Sequence, residues 1–138
     1  MSTRSHLTQT DLDRLHGVHH VLVDLTFRVN IYWPLRVVYG MRTLAEQRRL
    51  FSEGLSKTMN SKHLPQPGGF AWAVDLSPLP IDWDYANGFY YFAGMLQGVA
   101  RESVPPGWKI RWGGNWDMDF ELTDNKFMDL VHFELVKL

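Results

Sequence analysis

The residues of this sequence that could do chemistry are histidines and acids placed in short, distinctive segments. The chain has 138 residues, with six histidines and no cysteine. A metal ion in this protein would therefore be held by imidazole nitrogens and carboxylate oxygens. The segments that could supply them are Ser61-Lys62-His63, Ala73-Val74-Asp75 and Asp129-Leu130-Val131-His132.

Asp75 lies near the end of a predicted strand that is rich in small side chains. Because strand side chains alternate between faces, Ala71, Ala73 and Asp75 share one face. Two alanines beside a carboxylate leave space that a ligand or a metal could use. The alternative is that Asp75 caps the turn at Ser77-Pro78, and at this point both interpretations stay open.

Asp129 lies three residues before His132, which stands at the mouth of another predicted strand. In that strand Glu134 shares the face of His132, whereas Phe133 and Leu135 share the other face. An isolated histidine in such a place is usually a core residue with its hydrogen bonds satisfied. Here that explanation would have to account for two histidines and two acids, each in a motif-like setting.

A second group of histidines lies on the first predicted helix. His16 and His20 are four residues apart, the spacing at which two side chains of a helix can share a metal. The segment lacks the acidic residue of the helical zinc-protease motif. We therefore expect His16, His19 and His20 to be surface or partly packed residues.

The elements that must position these residues can be predicted from periodicity and from turn residues. The first helix has a capping-box-like start at Thr10 and Asp13, followed by apolar residues at helical spacing. Residues 56–70 are rich in Pro, Gly, Ser and Asn and are predicted to form a loop. The predicted helices cover 10–29, 44–53 and 87–101, and the predicted strands cover 35–39, 71–76, 108–112 and 131–137. This order favours an α+β fold with a small, mostly antiparallel sheet packed with helices.

Length and composition restrict the class of protein. The chain is long enough for a single domain, expected over 1–138, and its 45% of hydrophobic and 21% of charged residues are ordinary for a globular protein. A net charge of −1 gives no basic field for nucleic acid or for stable association with an anionic membrane. The N-terminus lacks the apolar stretch of a signal peptide. We therefore expect a protein that is made in the cytoplasm. We also expect it to be a monomer.

Together, the motifs resemble the zinc peptidase family of VanY-type and VanX-type D-Ala-D-Ala peptidases. Within it, they are most similar to phage endolysins that are L-alanyl-D-glutamate peptidases. That family has the pattern Ser-x-His-x-x-Gly-x-Ala-x-Asp, followed later by Glu-x-x-His or Asp-x-x-His. The resemblance spans about residues 36–136, and the supporting segments are Gly40-Met41-Arg42-Thr43, Glu46-Gln47, Leu50–Gly54 and Arg111–Trp116.

The resemblance implies a role for each residue of the motifs. His63, Asp75 and His132 would bind a catalytic Zn²⁺, and three protein ligands leave a fourth position open for water. Zinc lowers the pKa of such a water from about 15.7 towards about 7. Asp129 would be the general base, and Arg42 would stabilise the negative charge that develops on the carbonyl oxygen. Ser61, Trp112 and Asn115 would bind substrate or line its groove.

One departure from the family pattern lies between the first two ligands. The family usually separates the histidine from the aspartate by seven positions, whereas His63 and Asp75 are twelve apart. We interpret residues 64–70 as the loop that contains an insertion of five residues, which costs little closure entropy. Such an insertion could reshape the substrate groove.

The function implied by the resemblance is hydrolysis of the L-Ala–D-Glu bond of peptidoglycan stem peptides for host lysis. The enzyme would accumulate in the host cytoplasm and act on the periplasmic wall after a holin opens the membrane. Three alternatives stay open: a D-Ala-D-Ala carboxypeptidase or dipeptidase for wall remodelling, a non-catalytic binding module on the same fold, and a muramidase. A muramidase needs paired carboxylates, and Asp117 and Asp119 show no recognisable catalytic partner.

Overall fold

The structure, a computed structural model, describes residues 7–119, 122 and 128–138. The described residues form four strands and four helices. Their bounds are α1 Gln9–Leu15, α2 His20–Tyr32, β1 Leu35–Tyr39, α3 Leu44–Ser52, β2 Ala73–Pro78, α4 Ala86–Ser103, β3 Trp108–Trp112 and β4 His132–Lys137. The strands form one antiparallel sheet in the order β1-β2-β4-β3. This confirms the predicted α+β fold with a small antiparallel sheet.

The hydrophobic core lies between one face of the sheet and the helices α2 and α4. Phe133 and Leu135 of β4 are fully buried there, together with Leu22 of α2 and Phe92 and Leu96 of α4. Alternation along the strands then places Asp75, His132 and Glu134 on the opposite face of the sheet. The fold thus separates a core face from a face that carries polar groups. None of the helices in the described ranges is long and apolar enough to cross a membrane.

The predicted first helix is wrong in one respect, because it is two helices that meet at Gly17. Gly17 has a φ of +84°, and a Cβ there would lie 2.7 Å from the sulfur of Met41. Val18 then makes an isolated bridge with Ala71, and the amide of His19 donates to the Ala71 carbonyl. The apolar spacing continues through this break, so periodicity could not reveal it.

The start of α1 and the start of β2 also differ from the prediction. The capping box is formed by Thr8 and Asp11, two residues before the predicted pair. The helix α1 therefore begins at Gln9. The strand β2 begins at Ala73 because Ala71 is engaged in the isolated bridges to Val18 and Pro65. It continues to Pro78, which pairs with Leu35 of β1, so Ser77-Pro78 is part of the strand and not a turn.

Asp11 joins α1 to the sheet. Its carboxylate is 1% exposed and accepts hydrogen bonds from the amides of Thr8 and Val37. Arg36 forms an ion pair with the same carboxylate, and Arg14 donates to the Val37 carbonyl. The helix therefore covers the outer edge of β1, which would otherwise expose unpaired backbone groups.

Candidate metal centre

His63 is held in the loop before β2 by hydrogen bonds at both ends of its residue. Its amide donates to the hydroxyl of Ser61, and its carbonyl accepts from the amide of Arg42. Its side chain is buried, and Nδ1 donates to the Gly40 carbonyl at 2.7 Å. Because a carbonyl can only accept, this bond places a proton on Nδ1 and makes Nε2 the nitrogen that faces Asp75 and that could bind a metal once it is unprotonated.

The seven residues that follow His63 do not separate it from Asp75. Residues 64–70 fold back on themselves, with hydrogen bonds from the amide of Gln66 to the Phe70 carbonyl and from Gly69 to the Gln66 carbonyl. Pro65 bridges to Ala71 at the base of this loop. The insertion is therefore closed at its base, and His63 keeps its place beside the strand.

His63, Asp75 and His132 converge on the polar face of the sheet. Asp75 and His132 are directly opposite each other in the β2–β4 ladder. The Oδ1 atom of Asp75 lies 3.2 Å from Nε2 of His63 and 3.3 Å from Nδ1 of His132. One donor atom from each of the three residues lies within 4.8 Å of the others, and this is the group in the described part of the chain that could hold a metal ion.

The pKa values of the residues in this group depend on one another. Burial alone would raise the pKa of the Asp75 carboxyl, but hydrogen bonds from His132 and His63 hold it well below its usual range. Burial would lower the pKa of His132, but hydrogen bonds to Asp75 and Glu134 raise it to about 9. Without a metal, the positive charge that the group attracts is therefore carried by a proton on His132.

Asp129 faces the same group from the turn that precedes β4. Burial and the charge of Asp75 raise the pKa of its carboxyl, against the opposing effects of His132, His63 and Arg42. Its amide donates to the Gly113 carbonyl, and the Gly113 amide donates to the His132 carbonyl. The turn from Asp129 to His132 is thus clamped at both ends onto Gly113.

Arg42 lies next to the group, between β1 and α3, and its amide donates to the His63 carbonyl. Its Nε donates to the hydroxyl of Tyr39 at 3.2 Å, and its Nη1 donates to Oε1 of Gln47 at 2.7 Å. Gln47 is completely buried and also donates to Ser56 and to the Thr58 carbonyl. The guanidinium is therefore fixed by neutral acceptors, and its charge is available to the neighbouring site.

The three residues predicted to bind substrate have different surroundings. Ser61 accepts the amide of His63 and so shapes the loop that carries this histidine. Trp112 is 5% exposed, and its Nε1 donates to the Leu130 carbonyl, which fixes the turn between Asp129 and His132. The side-chain amide of Asn115 donates to the Asp119 carbonyl. Trp112 is part of the hydrophobic core, whereas contact of Ser61 and Asn115 with substrate stays a prediction.

His16, His19 and His20 are not part of the converging group. His19 caps α2, with Nδ1 accepting from the amide of Val21, and its ring stacks on His20 and contacts Trp108. Burial and the neighbouring His20 lower the pKa of His19. This is the packing role that the sequence predicts for these histidines.

Three residues of the site appear in the predicted segments, but the sequence assigned no role to them. Gly40 provides the carbonyl that orients His63, Gln47 fixes Arg42, and Glu134 accepts from Nε2 of His132 at 2.8 Å. Glu134 could have been found, because it shares the strand face of His132. The partners of Gly40 and Gln47 come from loops, whose course the sequence does not determine.

Two buried imidazoles and a carboxylate on a small sheet, with a further carboxyl and a fixed cation beside them, are typical of metal-dependent hydrolases. The chain belongs to the family of phage L-alanyl-D-glutamate peptidases, which it matches over residues 1–136. This confirms the family resemblance seen in the motifs, and the chain is accordingly a peptidase. A comparison with curated protein sequences gave no match.

Two solved structures are similar to this chain. The L-Ala D-Glu endopeptidase ChiX of Serratia marcescens has 27% sequence identity and a TM-score of 0.75, and the match covers 97% of this chain and 92% of ChiX. The vancomycin-resistance D,D-dipeptidase VanXYg, solved with a D-Ala-D-Ala phosphinate analogue, has 18% identity and a TM-score of 0.48. That match covers 86% of this chain and 48% of VanXYg.

Proposed function

We propose that this protein is a zinc-dependent endopeptidase that hydrolyses the L-Ala–D-Glu bond of peptidoglycan stem peptides. The observation that carries the proposal is the match to the phage L-alanyl-D-glutamate peptidase family over residues 1–136. The similarity to ChiX over nearly the whole chain supports the same bond. The converging His63, Asp75 and His132 supply the group that such chemistry needs.

The donor atoms fit zinc in number and type, and the two distances that involve Asp75 fit it in spacing. Nitrogen and oxygen atoms at about 2.0–2.1 Å from a tetrahedral Zn²⁺ lie about 3.3 Å from one another. The distances from Oδ1 of Asp75 to Nε2 of His63 and to Nδ1 of His132 are 3.2 and 3.3 Å. Two neutral imidazoles and one carboxylate leave a net charge of about +1 on a site that holds Zn²⁺.

Each nearby residue has a proposed task in peptide hydrolysis. When bound, zinc would polarise the scissile carbonyl and make a water acidic. Asp129 would accept the proton of the attacking water and pass it to the leaving amine, a role for which a raised carboxyl pKa is suited. Arg42 would stabilise the oxyanion that forms on the carbonyl. Ser61 and Asn115 would border the groove that holds the stem peptide, and Trp112 would support the turn that carries Asp129 from the core side.

The proposed biological role is lysis of the bacterial host. The enzyme would act as a monomer and as one catalytic domain over residues 1–138. It would accumulate in the host cytoplasm and reach the periplasmic wall when a holin opens the membrane. Membership of a phage peptidase family supports this order of events.

Digestion of purified peptidoglycan tests the proposed bond. After incubation with the zinc-loaded protein, mass spectrometry should find fragments with a new N-terminal D-Glu. The Asp129→Asn variant, at the same concentration and time, should yield far less of these fragments, which controls for contaminating hydrolases. Free D-Ala would instead indicate a carboxypeptidase, and new reducing sugar ends would indicate a muramidase. Full activity after thorough chelation would show that the reaction does not need the metal.

A further inference from the structure

Glu134 connects His132 to a cation on the neighbouring strand. Its Oε1 accepts from Nε2 of His132 at 2.8 Å, and its Oε2 accepts from Nη2 and Nε of Arg111 at 2.7 and 3.2 Å. Glu134 is 4% exposed. Both oxygens of this buried carboxylate are therefore used, one by the imidazole and one by the guanidinium.

The sheet register builds this chain of contacts. Asp75 and His132 are opposite each other between β2 and β4, and Glu134 and Arg111 are opposite each other between β4 and β3. On the other side, Glu134 faces Ala73, whose small side chain leaves room for the carboxylate. All of these side chains lie on the polar face of the sheet. Three strands thus contribute to one line of polar groups that ends at the metal centre.

The contact with Glu134 determines which nitrogen of His132 faces Asp75. A carboxylate accepts hydrogen bonds, so Nε2 of His132 carries a proton and Nδ1 is left to face Oδ1 of Asp75 at 3.3 Å. His63 has the opposite arrangement, because its Nδ1 donates to the Gly40 carbonyl and its Nε2 faces Asp75. The two imidazoles thus turn different nitrogens, Nδ1 of His132 and Nε2 of His63, toward Oδ1 of Asp75.

A buried carboxylate needs compensation, and Arg111 provides it. The ion pair with Nη2 at 2.7 Å neutralises Glu134 on the side away from His132. Without this cation, the negative charge of Glu134 would be buried beside that of Asp75 at a considerable cost. Arg111 thus favours the ionised form of Glu134, which is the form that accepts the proton of Nε2.

We propose that Glu134 and Arg111 are positioning residues of the metal centre. Glu134 fixes the ring and the tautomer of His132, and Arg111 fixes Glu134. This inference rests on the proposed zinc site, and it assigns the metal to Nδ1 of His132 and to Nε2 of His63. A purely structural ion pair between Glu134 and Arg111 would stabilise the sheet without changing the affinity for metal.

Zinc affinity of purified variants tests the proposal. Competition with a chromophoric chelator should show Glu134→Gln binding Zn²⁺ about 10–100-fold more weakly than wild type, the usual effect of losing such an outer partner. Arg111→Met should weaken binding by a smaller factor. Lys109→Met removes the same charge from an exposed position of the same strand and should bind like wild type. Equal affinities for all four proteins would overturn the proposal.

The wild-type protein gives a second test that does not depend on any variant folding. Nitrogen-15 correlation spectra of the histidine rings in the zinc-loaded protein should show His132 metallated at Nδ1 and protonated at Nε2, with the reverse for His63. Metal on Nε2 of His132 would overturn the inference while leaving the zinc peptidase intact. Failure of wild type to bind zinc would instead refute the zinc site of the proposed function.

Discussion

The backbone of Asp129 packs directly against Gly113, at the position that a side chain of residue 113 would occupy. A Cβ on Gly113 would clash with the carbonyl oxygen of Asp129. The same glycine donates its amide to the His132 carbonyl and accepts the amide of Asp129, both at 2.8 Å. The candidate base and a candidate ligand are therefore held at their spacing by a residue without a side chain.

The first prediction is that Gly113→Ala separates the base from the metal centre. The added methyl must displace the turn that carries Asp129, and a shift of about 1 Å in a catalytic group can cost on the order of 100-fold in rate. Steady-state kinetics on purified peptidoglycan should show this loss in kcat. Gly94→Ala is the matched control, because its new Cβ on α4 would meet no atom within 4 Å apart from its chain neighbours and the nearby helix backbone. Equal activity of Gly113→Ala and Gly94→Ala would show that close packing at Gly113 is not needed to hold Asp129 in place.

The second prediction concerns the carboxyl of Asp129 itself. Asp129→Asn preserves size but removes the proton acceptor, so kcat should fall by about 10²–10⁴-fold, the usual contribution of a general base. Zinc content, measured by metal analysis, should stay at one ion per chain, because Asp129 is not one of the three converging ligands. Asp117→Asn changes an exposed acid of the preceding loop and should retain full activity. A variant of Asp129 that lost its zinc would make this residue a ligand.

Much of the site could be predicted because it depends on strand alternation. The strands β1 and β3 have the predicted bounds, and the register of β2 and β4 places Asp75 opposite His132. Side chains two residues apart must share a face, so the position of one strand residue determines that of the next. His63 was less predictable, because its position depends on the course of a loop.

The break between α1 and α2 could not be predicted from periodicity. Leu15, Val18 and Leu22 are all buried and keep helical spacing across Gly17. What ends α1 is a tertiary contact, the close approach of Met41 to a glycine in the left-handed region. Apolar periodicity does not record such contacts between distant segments, although Gly17 itself is a residue type that often ends a helix. The Gly40 carbonyl beside His63 is likewise not recorded in the periodicity.

The third prediction is that zinc and protons compete for His132. In the metal-free protein its pKa is raised from 6.5 to about 9. The charged imidazole therefore stabilises the fold fully below pH about 6.5, and this contribution is lost as the pH rises through about 9. Zinc needs the neutral ring, so its affinity should rise by up to about tenfold per pH unit between pH 7 and 9.

Two measurements check this competition. Chelator competition between pH 7 and 9 should show zinc affinity rising, while the melting temperature of the chelator-treated protein falls over the same range. His16→Gln removes an exposed histidine that is not part of the group and should leave both trends unchanged. A zinc affinity that did not vary with pH would mean that His132 is already neutral in the metal-free protein.

The fourth prediction tests the cation of the site. Arg42→Ala should lower kcat by about 10²–10³-fold, the typical cost of removing one group that stabilises an oxyanion. Zinc affinity should be unchanged, because the guanidinium bonds with Tyr39 and Gln47 and not with the ligands. Arg28→Ala removes a cation paired with Asp24 on the surface of α2 and should have no effect on kcat. Loss confined to KM would assign Arg42 to substrate binding instead.

The last prediction links the fold to the position of Arg42. Gln47 is completely buried, accepts from Arg42, and donates to Ser56 and to the Thr58 carbonyl. Gln47→Leu keeps the volume but leaves these partners unpaired, so the free energy of unfolding should fall by about 1–3 kcal/mol. Because Arg42 then loses a fixed acceptor, kcat should fall as well. Gln97→Leu, which removes one hydrogen bond to the Ile110 carbonyl on the core side, should destabilise the protein less and leave kcat unchanged. If denaturant unfolding showed the loss of stability for Gln47→Leu while kcat stayed at the wild-type value, Gln47 would hold only the loop, and Arg42 would be positioned by Tyr39 alone.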